Sequence, residues 1–251
     1  MNAPRDFVRL YVWEAPVRLF HWVNAACIVV LCVTGYLIGH PWAFMNGGDA
    51  SSSYWFGTVR FVHFASAYLM VAAMVLRLYW AVVGNKFARW NNFLPLTRGQ
   101  LKEATVVVRT EMLQISTETF DPIGHNAVAY FTYAGTFVLA AFSIVSGFAL
   151  YSQMSAAWFP SLFRWVIPLF GSEASLRFWH HSAMWGFILF IMVHVYLAIY
   201  EDYVDGHGAI SSMIGGWKFM DRHAVKAARA QGISPLGKRR TEVKPSPSKT
   251  S

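Results

Sequence analysis

Residues 176–200 read LRFWHHSAMWGFILFIMVHVYLAIY, an apolar stretch with histidines at positions 180, 181 and 194. A helix needs roughly 20 predominantly apolar residues to cross the hydrocarbon core of a bilayer. His180 and His194 are 14 residues apart, which at about 100° per residue places both rings on one face of a helix. The rise over this distance is about 21 Å. The stretch therefore predicts a membrane helix that carries two histidines on one face, near opposite ends.

Three further stretches are long and apolar enough to span a membrane, at about 17–39, 56–83 and 126–151. The chain is 55% hydrophobic and only 14% charged, whereas a typical soluble domain has about 25% charged residues. We therefore predict an all-α membrane protein with a four-helix transmembrane bundle over residues 1–216. Residues 217–251 are polar and basic and are expected to form a disordered cytoplasmic tail.

The positive charges are unevenly distributed along the chain. Lys and Arg number three in residues 1–18, five in residues 84–125 and nine in residues 204–251, and the other connecting segments hold almost none. Positively charged loops stay on the cytoplasmic side of a membrane. Both termini are therefore predicted to be cytoplasmic. The net charge of +8 then indicates membrane topology rather than nucleic-acid binding.

Each of the first two spans also carries a histidine near one end. His21 lies near the cytoplasmic end of the first span, level with His194, and His63 lies near the outer end of the second span, level with His180. Ionisable residues inside a membrane usually mark function, and a six-coordinate haem iron takes two axial ligands. We predict two stacked haems b, the outer one held by His63 and His180 and the inner one by His21 and His194. His181 points about 140° away from His194 around the helix and is expected to be interfacial or to support a ligand.

Four more residues are candidates for the surroundings of the haems. Gly35 lies on the face of the first-span histidine, at the outer level, where a missing side chain could admit the macrocycle; close helix packing is the alternative. Arg77 and Arg18 could pair with haem propionates or extend to the membrane interface. His125, at the cytoplasmic mouth of the third span, could contact a quinone or a propionate, with a solvated side chain as the alternative.

The cysteines restrict the kind of redox centre that the chain could hold. Cys27 and Cys32 are the two cysteines of the sequence, and both lie in the first span. An iron–sulfur cluster needs about four thiolates, and the sequence has no Cys-x-x-Cys-His motif for covalent haem attachment. Any redox centre is therefore expected to be bound non-covalently.

Several long motifs resemble the b-type cytochrome subunit of membrane-bound nickel–iron uptake hydrogenases. They are YVWEAPVRLFHW (11–22), RLFHWVNAACIVVLCVTG (18–35), RFVHFASAYLMVAAMVLRLYWAVVGN (60–85), DPIGHN (121–126) and HVYLAIYED (194–202). The resemblance covers about residues 11–220. One departure is RFWHHSAMW (177–185), where the family usually has a single histidine followed by a basic residue. The helical register favours His180 as the ligand at this point.

The resemblance implies a multi-pass subunit of a bacterial cytoplasmic (inner) membrane. Such a subunit anchors the hydrogenase small and large subunits on the outer, periplasmic face, within a heteromeric complex that is expected to be oligomeric. Electrons would pass from the iron–sulfur chain of the small subunit through the outer and inner haems to membrane quinone. The chain would transfer electrons without splitting hydrogen itself, because two cysteines in one span cannot supply a nickel–iron site.

Three other functions share part of this pattern. A cytochrome b subunit of another periplasmic oxidoreductase, of the formate or thiosulfate type, has the same plan and differs in the proteins that co-purify with it. A stand-alone quinone oxidoreductase of the cytochrome b561 kind would work without partner subunits. A haem-free transporter or anchor, with histidines as proton relays, would lack a b-type optical band.

Overall fold

A computed structural model describes residues 7–42, 54–85, 88–89, 127–205 and 208–222. In chain order its elements are β1 (Phe7–Tyr11), α1 (Ala15–Gly39), α2 (Trp55–Val83), α3 (Ala127–Tyr151), α4 (Trp158–Ser161), α5 (Val166–Leu169), α6 (Glu173–Asp205), α7 (Ala209–Gly215) and β2 (Trp217–Asp221). Four of these helices, α1, α2, α3 and α6, are long and apolar enough to cross a membrane. The prediction of four membrane-spanning helices is confirmed with respect to their length and composition.

The long helices expose apolar side chains over most of their length. Large residues such as Leu19, Phe61, Val138, Leu189 and Met192 are more than half exposed on the surface of the chain. In water such a surface would be costly, whereas lipid tails are as apolar as these side chains. The outward faces of the four helices therefore suit a lipid environment.

The four long helices pack around a small apolar cluster. Helix α1 contacts both α2 and α6, and α3 contacts α6. The cluster consists of the buried residues Cys27, Met70, Met74, Ala140 and Phe187, so every long helix contributes to it. These residues lie near the middle of the spans. Polar groups inside the bundle are consequently placed above or below this layer.

The connection between α3 and α6 folds back onto the ends of those two helices. Val166 of α5 packs with Ala149 and Leu176 in a second buried cluster. Arg164 donates a hydrogen bond from Nη2 to the carbonyl oxygen of Ser152 at 3.2 Å. The short helices α4 and α5 therefore cover the end of the bundle opposite to β1 and β2.

Strands β1 and β2 form a two-stranded antiparallel ribbon. The register pairs Phe7 with Asp221 and Tyr11 with Trp217, and the guanidinium of Arg9 lies 4.4 Å from the ring centre of Trp217. The described chain is thus mostly helical rather than all-α. Residues 217–221, which the charge pattern assigns to the tail, are folded as β2, and residues 223–251 lie outside the described residues.

The same end of the bundle is held by polar contacts between the ribbon, α7 and the long helices. A carboxylate oxygen of Glu14 accepts hydrogen bonds from Nε1 of Trp80 at 2.9 Å and from the backbone N–H of Asn85 at 2.8 Å. Trp22 of α1 donates from Nε1 to the carbonyl oxygen of Met213 in α7 at 3.0 Å. These contacts fix the depth of α1 relative to α2 and α7.

Candidate functional site

The histidines of one predicted pair face each other near the end of the bundle that carries the ribbon. His21 comes from the second turn of α1 and His194 from α6, and their ring centroids are 6.3 Å apart with the planes at 54°. An imidazole nitrogen binds a metal ion at about 2 Å, so two rings that face each other across one ion have centres roughly 6 Å apart. The separation therefore fits two axial ligands of a single iron.

Aromatic rings and unpaired polar atoms surround this inner pair. Phe190 stacks on His194 with ring centroids 5.3 Å apart and planes at 18°, and Trp22 meets His21 edge-on at 5.0 Å. Nδ1 of His21 and Oδ1 of Asn24 are buried and have no hydrogen-bond partner among the described residues. Buried polar atoms without a partner are rare in folded proteins. Their presence here is consistent with a further group binding at this level.

The other predicted pair lies at the opposite end of the long helices. His63 of α2 lies close to α6 at the level of His180: a Cβ added to Gly35 would be 3.3 Å from Cε1 of His63 and 3.9 Å from Sδ of Met184, one turn after His180. Nδ1 of His63 is 2.8 Å from Oγ1 of Thr34 in α1, and Nδ1 of His180 is 2.8 Å from Oγ of Ser146 in α3. Because Nδ1 is engaged in both rings, Nε2 is the nitrogen available to a metal, which is the usual arrangement of metal-bound histidine.

A glycine follows each of these two hydroxyl residues, and both glycines lie against the paired rings. A Cβ added to Gly35 would be 3.3 Å from Cε1 of His63, and a Cβ added to Gly147 would be 3.0 Å from Cε1 of His180. The imidazoles thus occupy the space that a side chain would need. Gly35 lies at the outer level, and its predicted role in admitting a macrocycle stays a prediction.

On the prediction of two haems per chain, we expect the substitution Gly147→Ala to lower the haem content of the purified chain from two towards one. The new Cβ would lie 3.0 Å from Cε1 of His180, so the imidazole must move away from its position. Gly135→Ala in the same helix is the control, since nothing lies within 4 Å of its added Cβ and alanine stabilises a helix by about 1 kcal/mol relative to glycine. Haem per chain is measured optically after extraction. Equal haem content in the two variants would contradict the placement of His180.

His181 takes part in a different set of contacts from its neighbour His180. Its ring lies beside Gly39, where an added Cβ would be 3.0 Å from Cε1 of His181, and its centroid is 5.4 Å from that of His40. His40 in turn stacks on Tyr36 at 4.9 Å. The adjacent histidines of α6 therefore point to different neighbours, in agreement with the helical register. The choice of His180 as a ligand remains a prediction.

The structure places the two candidate arginines near the ribbon end of the bundle. Arg77 is buried, with a fractional exposure of 5%, and donates from Nε to the hydroxyl of Tyr133 at 2.7 Å and from Nη1 to the carbonyl oxygen of Ala88 at 3.0 Å. This side chain does not extend to an exposed interface. Arg18 donates to the carbonyl oxygen of Ile214. Pairing of either arginine with propionates stays a prediction, and His125 lies outside the described residues.

The residues that support the outer pair were not predicted from the sequence. Thr34 and Ser146 were not candidates, nor was Gly147. A signal for them exists, because VTG (33–35) and VSG (145–147) both place a hydroxyl residue directly before a glycine inside an apolar span. This repeated tripeptide sits on the two helices that do not carry the outer histidines. It could have been recognised as a pair of ring supports.

The two pairs are well separated along the bundle. In the continuous helix α1, Thr34 beside the outer pair is 13 residues after His21, which corresponds to about 20 Å of helical rise. The apolar cluster around Cys27 and Phe187 lies between them. An iron with two histidine ligands has no open position for a substrate, so such sites suit electron transfer.

Comparison with known proteins gives a consistent result over most of the chain. A family described as prokaryotic cytochrome b561 matches residues 12–216. The chain is 45% identical over 218 residues to a probable Ni/Fe-hydrogenase B-type cytochrome subunit of Azotobacter vinelandii, covering 85% of this chain and 90% of that protein. A protein of the same description from Cupriavidus necator is 41% identical over 212 residues, covering 83% and 86%.

A more distant relative shows the same extent of similarity. The probable Ni/Fe-hydrogenase 1 B-type cytochrome subunit of Escherichia coli strain K12 is 34% identical over 217 residues, covering 85% of this chain and 92% of the relative. The family match includes the positions of all four predicted ligands, which are His21, His63, His180 and His194.

Proposed function

The chain belongs to the prokaryotic cytochrome b561 family, and from that premise we propose that it is the membrane-embedded electron-transfer subunit of a nickel–iron hydrogenase. In this role it passes electrons from the iron–sulfur chain of the small subunit through two bis-histidine haems b to membrane quinone. The names of relatives at 34–45% identity, all probable hydrogenase cytochrome subunits, support this assignment. The four apolar helices support a multi-pass membrane protein.

The observation that carries this function is the presence of two histidine pairs at opposite ends of one bundle. Each pair joins α6 to another long helix, α1 for His21 and α2 for His63. Electron transfer across the membrane needs one redox centre near each face. The two histidine pairs lie about 20 Å apart along the helices. A haem-free anchor would have no reason to bring four histidines of membrane helices together two by two.

The orientation follows from the ribbon and the distribution of charge. The ribbon brings the segment before α1 and the segment after α6 together on one side of the bundle. The sequence segments that adjoin this side hold most of the Lys and Arg residues, which supports a cytoplasmic location for it in the inner membrane of a bacterium. The small and large hydrogenase subunits then bind on the opposite, periplasmic side, where α4 and α5 lie.

The side chains near the cytoplasmic end have distinct roles in this proposal. His21 and His194 hold the inner haem, while Arg18 and Arg77 provide positive charge at the same end for its propionates. His125, which precedes the third span in the sequence, stays a candidate contact for quinone or a propionate. Proton uptake for quinol formation would then occur on the cytoplasmic side.

The test is the composition and optical spectrum of the chain purified in mild detergent with its bound partners. We expect a b-type band in the reduced-minus-oxidised spectrum, two haems per chain, and two co-purifying subunits that contain nickel and iron–sulfur clusters. The control is the double variant His21→Ala with His63→Ala, which removes one ligand from each pair and should lose the band while still entering the membrane.

Each alternative function predicts a different result in this experiment. Co-purification with a formate or thiosulfate enzyme would replace the hydrogenase assignment. Quinone reduction by the haem-loaded chain without any partner would favour a stand-alone oxidoreductase. A colourless, iron-free protein would contradict the haem sites altogether.

A further inference from the structure

The hydroxyl of Thr34 lies between two groups at hydrogen-bond distance. Oγ1 is 2.6 Å from the carbonyl oxygen of Val30, one turn earlier in α1, and 2.8 Å from Nδ1 of His63 in α2. A second carbonyl, that of Leu31, is farther away at 3.4 Å. The short contact to Val30 is the back-bond that Thr and Ser often form inside helices.

Ser146 repeats this arrangement on the other side of the bundle. Its Oγ is 2.7 Å from the carbonyl oxygen of Phe142, one turn earlier in α3, and 2.8 Å from Nδ1 of His180 in α6. The side chain is fully buried. Two hydroxyls on two different helices thus hold the two histidines of the outer pair in the same way.

The single proton of each hydroxyl determines which histidine nitrogen is protonated. A carbonyl oxygen carries no proton, so the short Oγ···O contacts require the hydroxyl proton to point at the carbonyl of Val30 or Phe142. Oγ can then only accept a hydrogen bond from the imidazole, which means that Nδ1 carries the proton. In a neutral ring the lone pair is then on Nε2, the nitrogen needed by a metal.

We propose that Thr34 and Ser146 are positioning residues that hold His63 and His180 in the Nδ1-protonated form, with Nε2 of both rings directed to one iron. This inference rests on the proposed function, because it assigns a role within the outer haem site. The two hydrogen bonds are expected to affect the redox potential of the iron as well as the orientation of the rings. A donated Nδ1–H makes the imidazole a stronger electron donor to the metal, so the two hydroxyls lower the midpoint potential of the outer haem.

The arrangement is specific to the outer pair within the described part of the chain. Nδ1 of His21 in the inner pair has no hydrogen-bond partner among the described residues. Other hydroxyls make the same one-turn back-bond without a histidine, including Thr136 to the carbonyl of Thr132 at 2.7 Å and Ser182 to that of Phe178 at 2.8 Å. The inner haem can therefore serve as an internal reference for any effect on the outer one.

The experiment is a redox titration of the purified holo-complex with optical and electron paramagnetic resonance detection. Thr34→Val keeps the branched shape and removes the hydroxyl, Ser146→Ala removes the other hydroxyl, and Thr34→Ser restores an acceptor at position 34. Thr136→Val and Ser182→Ala are the matched controls, because they remove hydroxyls that support only a helix. Haem per chain is measured for every variant.

We expect Thr34→Val and Ser146→Ala to shift the midpoint of the same one of two haem components to more positive potential and to alter its low-spin resonance signal. The second component should not move, and Thr34→Ser should restore the original titration. Loss of one haem in Thr34→Val that Thr34→Ser recovers would also support the assignment.

Two results would overturn the assignment of Thr34 and Ser146 as positioning residues, and both leave the proposed function intact. One is a wild-type titration with two haems whose midpoints are unchanged in both hydroxyl deletions. The other is an equal loss of haem in Thr34→Val and Thr34→Ser, which would show that only packing matters at position 34. A wild-type complex without haem would instead contradict the proposed function itself.

Discussion

Under the proposed function, replacing His194 by alanine is expected to halve the haem content to one per chain and to reduce hydrogen-dependent quinone reduction to background. The substitution removes one of two rings that face each other at 6.3 Å, so the inner iron loses an axial ligand. Electrons would still reach the outer haem but could not cross the apolar middle of the bundle. Hydrogen oxidation with an artificial dye, measured in the same membranes, should continue because it takes electrons before they enter this chain.

The control for this prediction is Met192→Ala. This side chain is exposed, with a fractional exposure of 66%, and lies two residues away on the same helix, which turns it about 200° away from His194. The variant should keep two haems and full quinone reduction. Retention of two haems in His194→Ala would show that the inner pair is assigned incorrectly.

The adjacent histidines of α6 allow a second prediction with a large effect. His180→Ala should lose the outer haem and stop electron entry into the chain, whereas His181→Ala should keep both haems. The reason is their different surroundings: Nδ1 of His180 is 2.8 Å from Oγ of Ser146, while His181 lies beside Gly39. Haem content, quinone reduction and dye-linked hydrogen oxidation are measured on both variants after confirming that the partners co-purify.

His63, the predicted partner of His180, allows this result to be checked independently. His63→Ala should reproduce His180→Ala, since each variant removes one ligand of the same iron. Loss of haem from His181→Ala, with His180→Ala unaffected, would identify His181 rather than His180 as the ligand. Different outcomes for His63→Ala and His180→Ala would separate the two residues into different sites.

The membrane spans were predictable because the bilayer imposes a length and a composition on them. The predicted ends at Gly39, Val83 and Tyr151 coincide with the ends of α1, α2 and α3. Helix α6 continues to Asp205, beyond the predicted Tyr200. Hydropathy marks where the apolar layer ends, whereas a helix can continue into water as long as its backbone is hydrogen-bonded.

The relative direction of His180 and His194 on α6 was predictable for a similar reason, whereas the rings that Thr34 and Ser146 contact were not. A separation of 14 residues fixes the relative direction of His180 and His194 on one helix, and the structure brings His194 to His21. The contact between Ser146 and His180 depends on how two different helices are rotated against each other. Side-chain spacing along one helix holds no information about that rotation.

The ribbon was missed because its two strands are short and far apart in the sequence. FVRLY (7–11) and WKFMD (217–221) are too brief to show a strand pattern, and each strand is stable only with its partner. Pairing of segments separated by about 200 residues cannot be detected from local periodicity. The long apolar helices are therefore predictable from the sequence, whereas the pairing of β1 with β2 is not.

The pairing of β1 with β2 also constrains the order of events during biosynthesis. β1 leaves the ribosome before the first span and its partner leaves after the last one, so the ribbon cannot form until all four long helices have been synthesised. The two strands can meet only if the number of crossings between them is even, because both must lie on the same side of the membrane. A chain in which one of the four helices fails to insert would therefore leave β1 and β2 on opposite sides and unable to pair.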